Sequence, residues 1–399
     1  MLWIATVLFL VVAAFAASAG VRAVTLAIAG LALCVGLRES LRTLWRSFPR
    51  DIAVLGGAWV ALCAASVAWS VDPRFTLGEL KAESFYGVLA VLVFFVAAAR
   101  HPDFWPRWWI ALMVGGALAF AAELLQNTFN VRFSRHDVDG GPGPYSTHLV
   151  LLLPLLFALD WTPPWGRERR PRLLVFALVL LFAAAWYTGN RIVWLAFAAQ
   201  IGVGMVTWRR LGTTQADRTS TLRRLAVVAA VAIAVAFAAS VAERYERNIN
   251  FVTGVDGGLE HDLRPVIWKR AWEKIGEAPW LGHGFGREIA APAFMPLTPN
   301  TAGHPILMHG HNTFLDVAIQ LGVVGVAIFA LLLAMLARRY VALLGDPASA
   351  PLGMMGLALL AGFVVKNLTD DFFHRHNALV FWALNAMLLG FAASRRARD

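Results

Sequence analysis

The chain has 399 residues, 59% of them hydrophobic and 15% charged, with a net charge of +10. Ordinary soluble domains carry about 25% charged residues, so this composition excludes a soluble globular enzyme and points to lipid. A basic excess in a soluble chain would suggest nucleic acid, but in an apolar chain arginines set membrane topology, and no nucleic-acid partner is expected. Cys34 and Cys63 both fall inside apolar runs, which excludes a CxxC metal or redox motif.

A membrane-crossing helix needs about 20 mostly apolar residues, and by that measure the chain offers about twelve candidate spans. They fall near 2–19, 22–37, 52–69, 85–99, 108–125, 145–161, 173–188, 191–207, 225–242, 313–337, 352–368 and 377–394. The opening run Leu2–Ala19 has no basic stretch ahead of it and reads as a first span, not a cleavable signal. The expected fold is therefore all-α and polytopic. Nine spans fall in residues 1–242, a polar loop domain in 243–312, and three spans in 313–399.

Arg38, Arg42, Arg46, Arg50, Arg100 and Arg107 fall in one set of connectors. Arg167, Arg169, Arg170, Arg172, Arg209, Arg210, Arg338 and Arg339 fall in the same set, as do the arginines of the tail. The alternate connectors hold far fewer. The basic side is cytoplasmic by the positive-inside rule, so both termini are expected inside and the 243–312 segment outside. Nine of the ten histidines then fall on or beside the outer face, leaving only His101 within. Histidine titrates near neutrality, so chemistry by proton transfer is expected outside.

Within the polar segment, Arg264-Pro265 opens an expected amphipathic helix, with proline tolerated in the first turn. Trp268, Ala271, Trp272 and Ile275 share its apolar face, and Arg264 lies on the same stripe. A charge there requires a partner, either an acidic side chain or an anionic substrate. Arg191 opens a span at its outer end after Thr188-Gly189-Asn190, where it either snorkels or is held in place. His311 precedes Thr313-x-x-Asp316, a capping-box pattern in which Thr313 would cap the following span. The helix N-terminus would then disfavour imidazolium and leave either a backbone-bonding loop histidine or a general base.

Other signals point less sharply. Gly282-His283-Gly284-Phe285-Gly286 is compatible with a phosphate cradle or a turn, and Asp137-x-Asp139 with a turn. His304, His309 and His311 lack the two-turn spacing of HExxH, and no metal or other cofactor is expected. Glu123 and Lys366 sit close to the outer interface, where they can pair with each other, with Asp370 or with arginines. Arg287, His309, Asn312 and Trp268 are expected to contact substrate alongside Arg191 and Arg264.

Three passages resemble the bacterial O-antigen ligase and polymerase superfamily, and within it the O-antigen ligases. They are Thr188-Gly189-Asn190-Arg191, Arg264-x-x-x-Trp268 running into Pro279-Trp280-Leu281-Gly282-His283-Gly284-Phe285-Gly286, and His311-Asn312-Thr313-Phe314-Leu315 followed by Gln320-Leu321-Gly322-Val323-Val324-Gly325. The family has a smaller residue where Asn190 stands. The resemblance implies transfer of a glycan from undecaprenyl diphosphate to lipid A–core at the periplasmic face of the inner membrane. It implies a metal-independent, inverting glycosyltransferase of lipopolysaccharide biosynthesis, with Arg191, Arg264 and His311 as its catalytic residues. An O-antigen polymerase would use a second lipid-linked glycan as acceptor. A transporter would place charge near the bilayer midplane, whereas here it gathers at the outer interface.

Overall fold

A computed structural model describes residues 1–129, 142–157, 171–210, 227, 229–242, 264–297, 308–371 and 373–396. His304, Asp137 and Asp139 lie outside the described residues, as do parts of the expected loop domain. The described chain is helical, without strands. It begins with α1 (Leu2–Val12), α2 (Ala19–Val35), α3 (Leu37–Ser47) and α4 (Arg50–Ala65). A short α5 (Pro73–Glu79) passes through a π-helical stretch, Leu80–Phe85, into α6 (Tyr86–Arg100). Next come α7 (Trp105–Phe129), α8 (Pro142–Leu156), α9 (Pro171–Tyr187), α10 (Ile192–Arg210) and α11 (Ala229–Ala242). The rest is α12 (Arg264–Glu277), a single turn α13 (Ala291–Phe294), α14 (Thr313–Leu343), α15 (Ala350–Asn367) and α16 (Arg375–Arg396).

Seven helical stretches are long and apolar enough to cross a membrane: Ala16–Val35, Arg50–Ala68, Pro73–Arg100, Pro102–Leu125, Thr313–Leu343, Ala350–Asn367 and Arg375–Arg395. Shorter apolar helices occupy the other five positions where spans are expected from the sequence. α16 is the most enclosed, packed along α6, while α15 lies between α10, α14 and α8. Phe94, Phe104, Trp105, Trp108 and Phe391 interlock edge-to-face where α6, α7 and α16 meet.

The loop and kink that position the site are built from two glycine-bearing motifs. α14 breaks its helical dihedrals at Gly322 (φ 63°, ψ −164°), which frees the backbone groups on either side. The loop after α12 takes them up. His283 and Gly284 donate to the carbonyls of Ile319 and Gln320, and Val323 and Val324 donate back to Pro279 and Trp280. The two backbones approach so closely that a Cβ on Gly282 would lie 2.4 Å from the Gln320 carbonyl carbon. One on Gly322 would lie 2.2 Å from the Trp280 carbonyl carbon. Both glycines also have φ above +60°, where any other residue is strained. The motifs Pro279–Gly286 and Gln320–Gly325, far apart in the chain, are therefore the two halves of one joint. The backbone N–H groups of this turn are committed: Gly282 donates to the Ala278 carbonyl, Phe285 to Ser66 Oγ and Gly286 to Gln320 Oε1. The glycine cluster is a docking turn, not a phosphate cradle.

α12 buries Ile267, Ala271 and Ile275 with Trp268 alongside, against Ile289, Phe294 and Ile319. Trp272, placed on the apolar face by its spacing, is 64% exposed. The buried stripe is thus rotated toward Ile267, which keeps Arg264 at its upper edge, facing inward.

Candidate active site at the α14 start

The turn Met308–Asn312 leads into α14, and its cap differs from the capping-box expectation by one residue. Asn312 is the N-cap: its Oδ1 accepts from the N–H groups of Phe314 and Leu315. Thr313, the first helical residue, turns inward, its hydroxyl 2.9 Å from Asn367 Oδ1 and 2.8 Å from Asp371 Oδ1. Asp316 reaches back to the turn and accepts the Gly310 N–H at 2.6 Å. Asn312 Nδ2 donates to the Leu368 carbonyl at 2.7 Å. Both ends of the Asn312 amide therefore hold the backbone, where a substrate contact was expected.

His311 stands at the tip of this turn with φ 48°, a left-handed conformation uncommon outside glycine. Its ring packs on His309, centroids 4.2 Å apart. Its Nε2 is buried and has no hydrogen-bond partner among the described residues. Burial, with the neighbouring His309, pushes the imidazole down to about 4, so the ring is neutral at pH 7. The expected neutral state is present, with desolvation as its main cause and not the helix terminus.

Beneath it, Arg287 donates to His309 Nε2 and places its Nε 3.3 Å from Asp371 Oδ2. On the other side of the ring, the His311 N–H donates to His309 Nδ1 at 3.2 Å. That nitrogen faces Asp316 Oδ2 at 3.5 Å and Asp371 Oδ2 at 3.8 Å. Burial and then the Arg287 charge bring the His309 imidazole down to about 3. Burial and the adjacent Asp316 carboxylate push Asp371 up to about 6. His309 is only 5% exposed. Arg287 and His309 form a buried support for the turn, where the sequence suggested direct substrate contact.

The organising segment is the loop between α15 and α16, which the sequence reading passed over except for Asp370. Four consecutive residues each anchor a different part of the site. The Leu368 carbonyl holds Asn312, and the Thr369 carbonyl accepts from Arg264 Nε at 3.0 Å. Asp370 Oδ2 accepts from Asn190 Nδ2 at 3.0 Å and pairs with Lys366, and Asp371 holds Thr313. Asn190 also donates to Ser146 on α8, which gives its amide a use that a smaller residue would lack. Burial opposes the Asp370 charge, but the Lys366 ammonium outweighs it and holds the carboxyl below its usual range. Arg191, next to Asn190 at the start of α10, Arg264 at the start of α12, and His311 before α14 are thus gathered around residues 368–371. Trp268 lies one turn beyond Arg264 in the α12 core. The signal that could have revealed this loop is Lys366-x-x-x-Asp370-Asp371, a charged run following an apolar span.

Two clusters bring histidine and carboxylate ligand atoms within 4.8 Å of one another: His309, Asp316 and Asp371, and Glu79, Glu83 and His374. Each already contains a guanidinium, Arg287 in the first and Arg375 in the second. The charge a cation would neutralise is met there by arginine.

Apolar helices of crossing length, with a buried charged cluster and a neutral imidazole at one end, point to a multi-pass membrane protein. Residues 176–330 match the family described as O-antigen ligase (Wzy_C). That match supports membership of the O-antigen ligase/polymerase superfamily. The matched stretch contains Arg191, Arg264, Arg287, His309 and His311, while the 368–371 loop lies beyond it. No curated protein matches the chain significantly.

Proposed function

We propose that the protein is an inverting glycosyltransferase that ligates O-antigen from undecaprenyl diphosphate onto lipid A–core at the periplasmic face of the inner membrane. In this reading, His311 Nε2 takes the proton from the acceptor hydroxyl as that oxygen attacks the anomeric carbon. The bond from that carbon to the diphosphate breaks, and the diphosphate leaves with the electron pair. The observation that carries the reading is His311 Nε2: buried, neutral and without a partner, beside a loop that gathers Arg264, Lys366 and the start of α10. A positioned base is worth about 10²–10⁴ in rate. Arg191 and Arg264 stabilise the departing diphosphate by fork-like hydrogen bonds, worth roughly 10²–10³ each by analogy with oxyanion sites. No carboxylate is assigned as nucleophile, so a single displacement with inversion follows. Both termini lie in the cytoplasm, the described apolar helices cross the membrane, and no metal takes part.

The test is transfer by the purified protein from lipid-linked glycan to lipid A–core. His311→Ala should reduce it by about 10²-fold or more, and transfer at the wild-type rate would sink the assignment. Polymerase action is separated by the acceptor: elongation of the lipid-linked glycan with no product on lipid A–core would support it.

A further inference from the structure

The link between α2 and α4 is itself a helix, α3, of 11 residues. Pro49 ends it, with Phe48 before it extended at ψ 133°. α3 stands at the end of the molecule away from the site. The far end of α4 leads into Ser66, which accepts from Phe285 in the docking turn. The 16 residues of α4 put about 24 Å between its two ends. Three stripes of side chains, each spaced four residues apart, divide α3. Ser40, Leu44 and Phe48 turn inward: Ser40 donates to the Leu33 carbonyl at 3.2 Å, and Phe48 meets Phe95 of α6 edge-on at 4.8 Å. Leu37, Leu41 and Trp45 face outward, 51%, 55% and 80% exposed. Arg38, Arg42 and Arg46 run beside them, also exposed. An apolar stripe next to a basic one is the pattern of a helix lying in a membrane interface.

The charge of this surface is not offset from within the protein. The two carboxylates of the stretch are both taken by cations from other helices. Glu39 pairs with Arg100 at the end of α6. Asp51 accepts from Arg339 of α14 at 2.7 and 3.1 Å. No carboxylate among the described residues pairs with Arg38, Arg42, Arg46 or Arg50. Arginines four apart on one helix repel one another, and an anion between them removes the repulsion. Arg38, Arg42 and Arg50 also border one space, the basic mouth of a cavity that runs along α4, where Leu41 and Trp45 join them. The Glu39–Arg100 pair and the Phe48–Phe95 contact hold α3 against α6, so the outward stripes are fixed in direction.

We propose that α3 is a binding surface for anionic phospholipid in the leaflet at this end of the molecule. Phosphodiesters bridge Arg38, Arg42, Arg46 and Arg50, and the acyl chains beneath cover Leu37, Leu41 and Trp45. Charge assigns the occupant. A second copy of the chain would bring the same uncompensated arginines and be repelled, and a zwitterionic headgroup carries its own cation. An anionic phosphodiester carries none, and its oxygens match the planar fork of arginine. Trp45 suits the same depth, since tryptophan favours the headgroup level. With the termini in the cytoplasm, this is the cytoplasmic leaflet, whose anionic lipids attract basic segments within a Debye length. The surface is separate from the transfer site and does not depend on what that site transfers.

The experiment adds phosphatidylglycerol and phosphatidylethanolamine in equal amounts to the purified full-length protein in neutral detergent. Native mass spectrometry then reads the bound lipid of each class. Wild type should retain phosphatidylglycerol over phosphatidylethanolamine by about tenfold or more, since each arginine near an anionic surface contributes roughly fivefold. Arg38→Gln/Arg42→Gln/Arg46→Gln/Arg50→Gln should bring the ratio to within about twofold of one. The four matching lysine replacements keep the charge and should keep most of the preference. Arg338→Gln removes an exposed arginine outside α3 and should leave the ratio unchanged. Should the glutamine variant fail to fold, salt decides on the wild type: raising it from about 0.05 to 0.5 M shortens the Debye length about threefold and should collapse the preference. A wild type without preference, a preference indifferent to salt, or one that survives glutamine replacement overturns the surface. So does a wild-type dimer that Trp45→Glu makes monomeric with its lipid preference intact, which would give this face to a second copy. Failure of glycan transfer in the same preparations would count against the transfer reading alone.

Discussion

Asn190 donates to Asp370 at 3.0 Å, joining the start of α10 to the loop between α15 and α16 across 180 positions of sequence. The bond sets where Arg191 stands, because Asn190 is also the residue whose Oδ1 accepts the Ile192 N–H at 3.3 Å, turning the chain into α10. Asn190→Ala should therefore act on Arg191 through the backbone. Losing one buried hydrogen bond while stranding its partner costs about 1–3 kcal/mol, so kcat should fall roughly tenfold or more, with acceptor KM little changed. Asp370→Asn is harsher, since Lys366 is fully buried beside it. Removing one member of a buried pair costs about 3–5 kcal/mol. Thermal unfolding should show a large loss for Asp370→Asn and a small one for Asn190→Ala. Equal losses would mean that Lys366 does not depend on Asp370.

The pH dependence of transfer should carry the imprint of the buried imidazole. A free imidazole titrates near 6.5, whereas His311 is brought down to about 4 by burial and by His309. The base works neutral, so activity should persist as pH falls through 6 and decline only toward 4. An acid limb near 6.5 would place His311 in water. Stability follows a related argument with its own sign. Between about 3 and 6.5 the unfolded chain protonates His309 and the folded one does not, so His309 contributes stability that is lost as pH falls through that window. Asp371 acts oppositely: raised to about 6, it binds its proton more tightly when folded, so its contribution is lost as pH rises from about 4 to 6. Midpoints of unfolding measured from pH 4 to 8 should thus change less than His309 alone would impose. Replacing Asp371 with Asn should expose the His309 slope.

Much of this was legible in the chain because lipid imposes simple rules. A backbone in hydrocarbon must satisfy its own hydrogen bonds, so apolar runs announce helices, and an apolar helix stands wherever the sequence suggested a span. Arg264, Arg191 and His311 stood out as charges or protonatable groups where the local pattern wanted none, and the structure draws their segments to one loop. What did not show was anything decided by contacts between distant segments. Thr313 fits a capping box, but Asn312 caps because Thr313 is drawn to Asn367 and Asp371. Trp272 fits the apolar stripe by period, yet the docking of Ile289 and Phe294 rotates that stripe away from it. Residues 368–371 look like an ordinary polar connector, since two of their four anchoring groups are backbone carbonyls, which any sequence supplies.

Glycines inside the joint and outside it yield predictions of opposite sign. Gly322→Ala and Gly282→Ala each place a methyl within 2.5 Å of facing backbone at positive φ. No rotamer relieves that collision, and left-handed strain alone costs about 1–3 kcal/mol. Both variants should unfold earlier and lose activity, because Arg287 follows the loop directly. Gly276 sits in α12 with nothing within 4 Å of its would-be Cβ and no positive φ. Gly276→Ala should gain up to about 1 kcal/mol from helix propensity. Thermal scans of the three variants would check both signs, and a stable Gly322→Ala would show that the joint can slide.

Arg264 and Arg287 are both arginines near His311, and replacing each should separate their jobs. Arg264 is half-buried at the first residue of α12 and donates to a backbone carbonyl. Arg264→Lys keeps the charge and loses the fork, so folding should survive while transfer falls by roughly 10²-fold, the scale of one lost donor to developing charge. Arg287 lies against His309 and Asp371, with Asp316 beyond the imidazole, and its side chain is 16% exposed. Arg287→Ala would leave two buried carboxylates without their cation, a loss of about 3–5 kcal/mol, and would release the turn that carries His311. Arg287→Ala should therefore lower both the unfolding midpoint and kcat, and a more acidic buffer should partly restore its stability by protonating Asp371. If instead Arg287→Ala unfolds like wild type and only its donor KM rises, Arg287 touches the diphosphate and the support assigned to it belongs elsewhere.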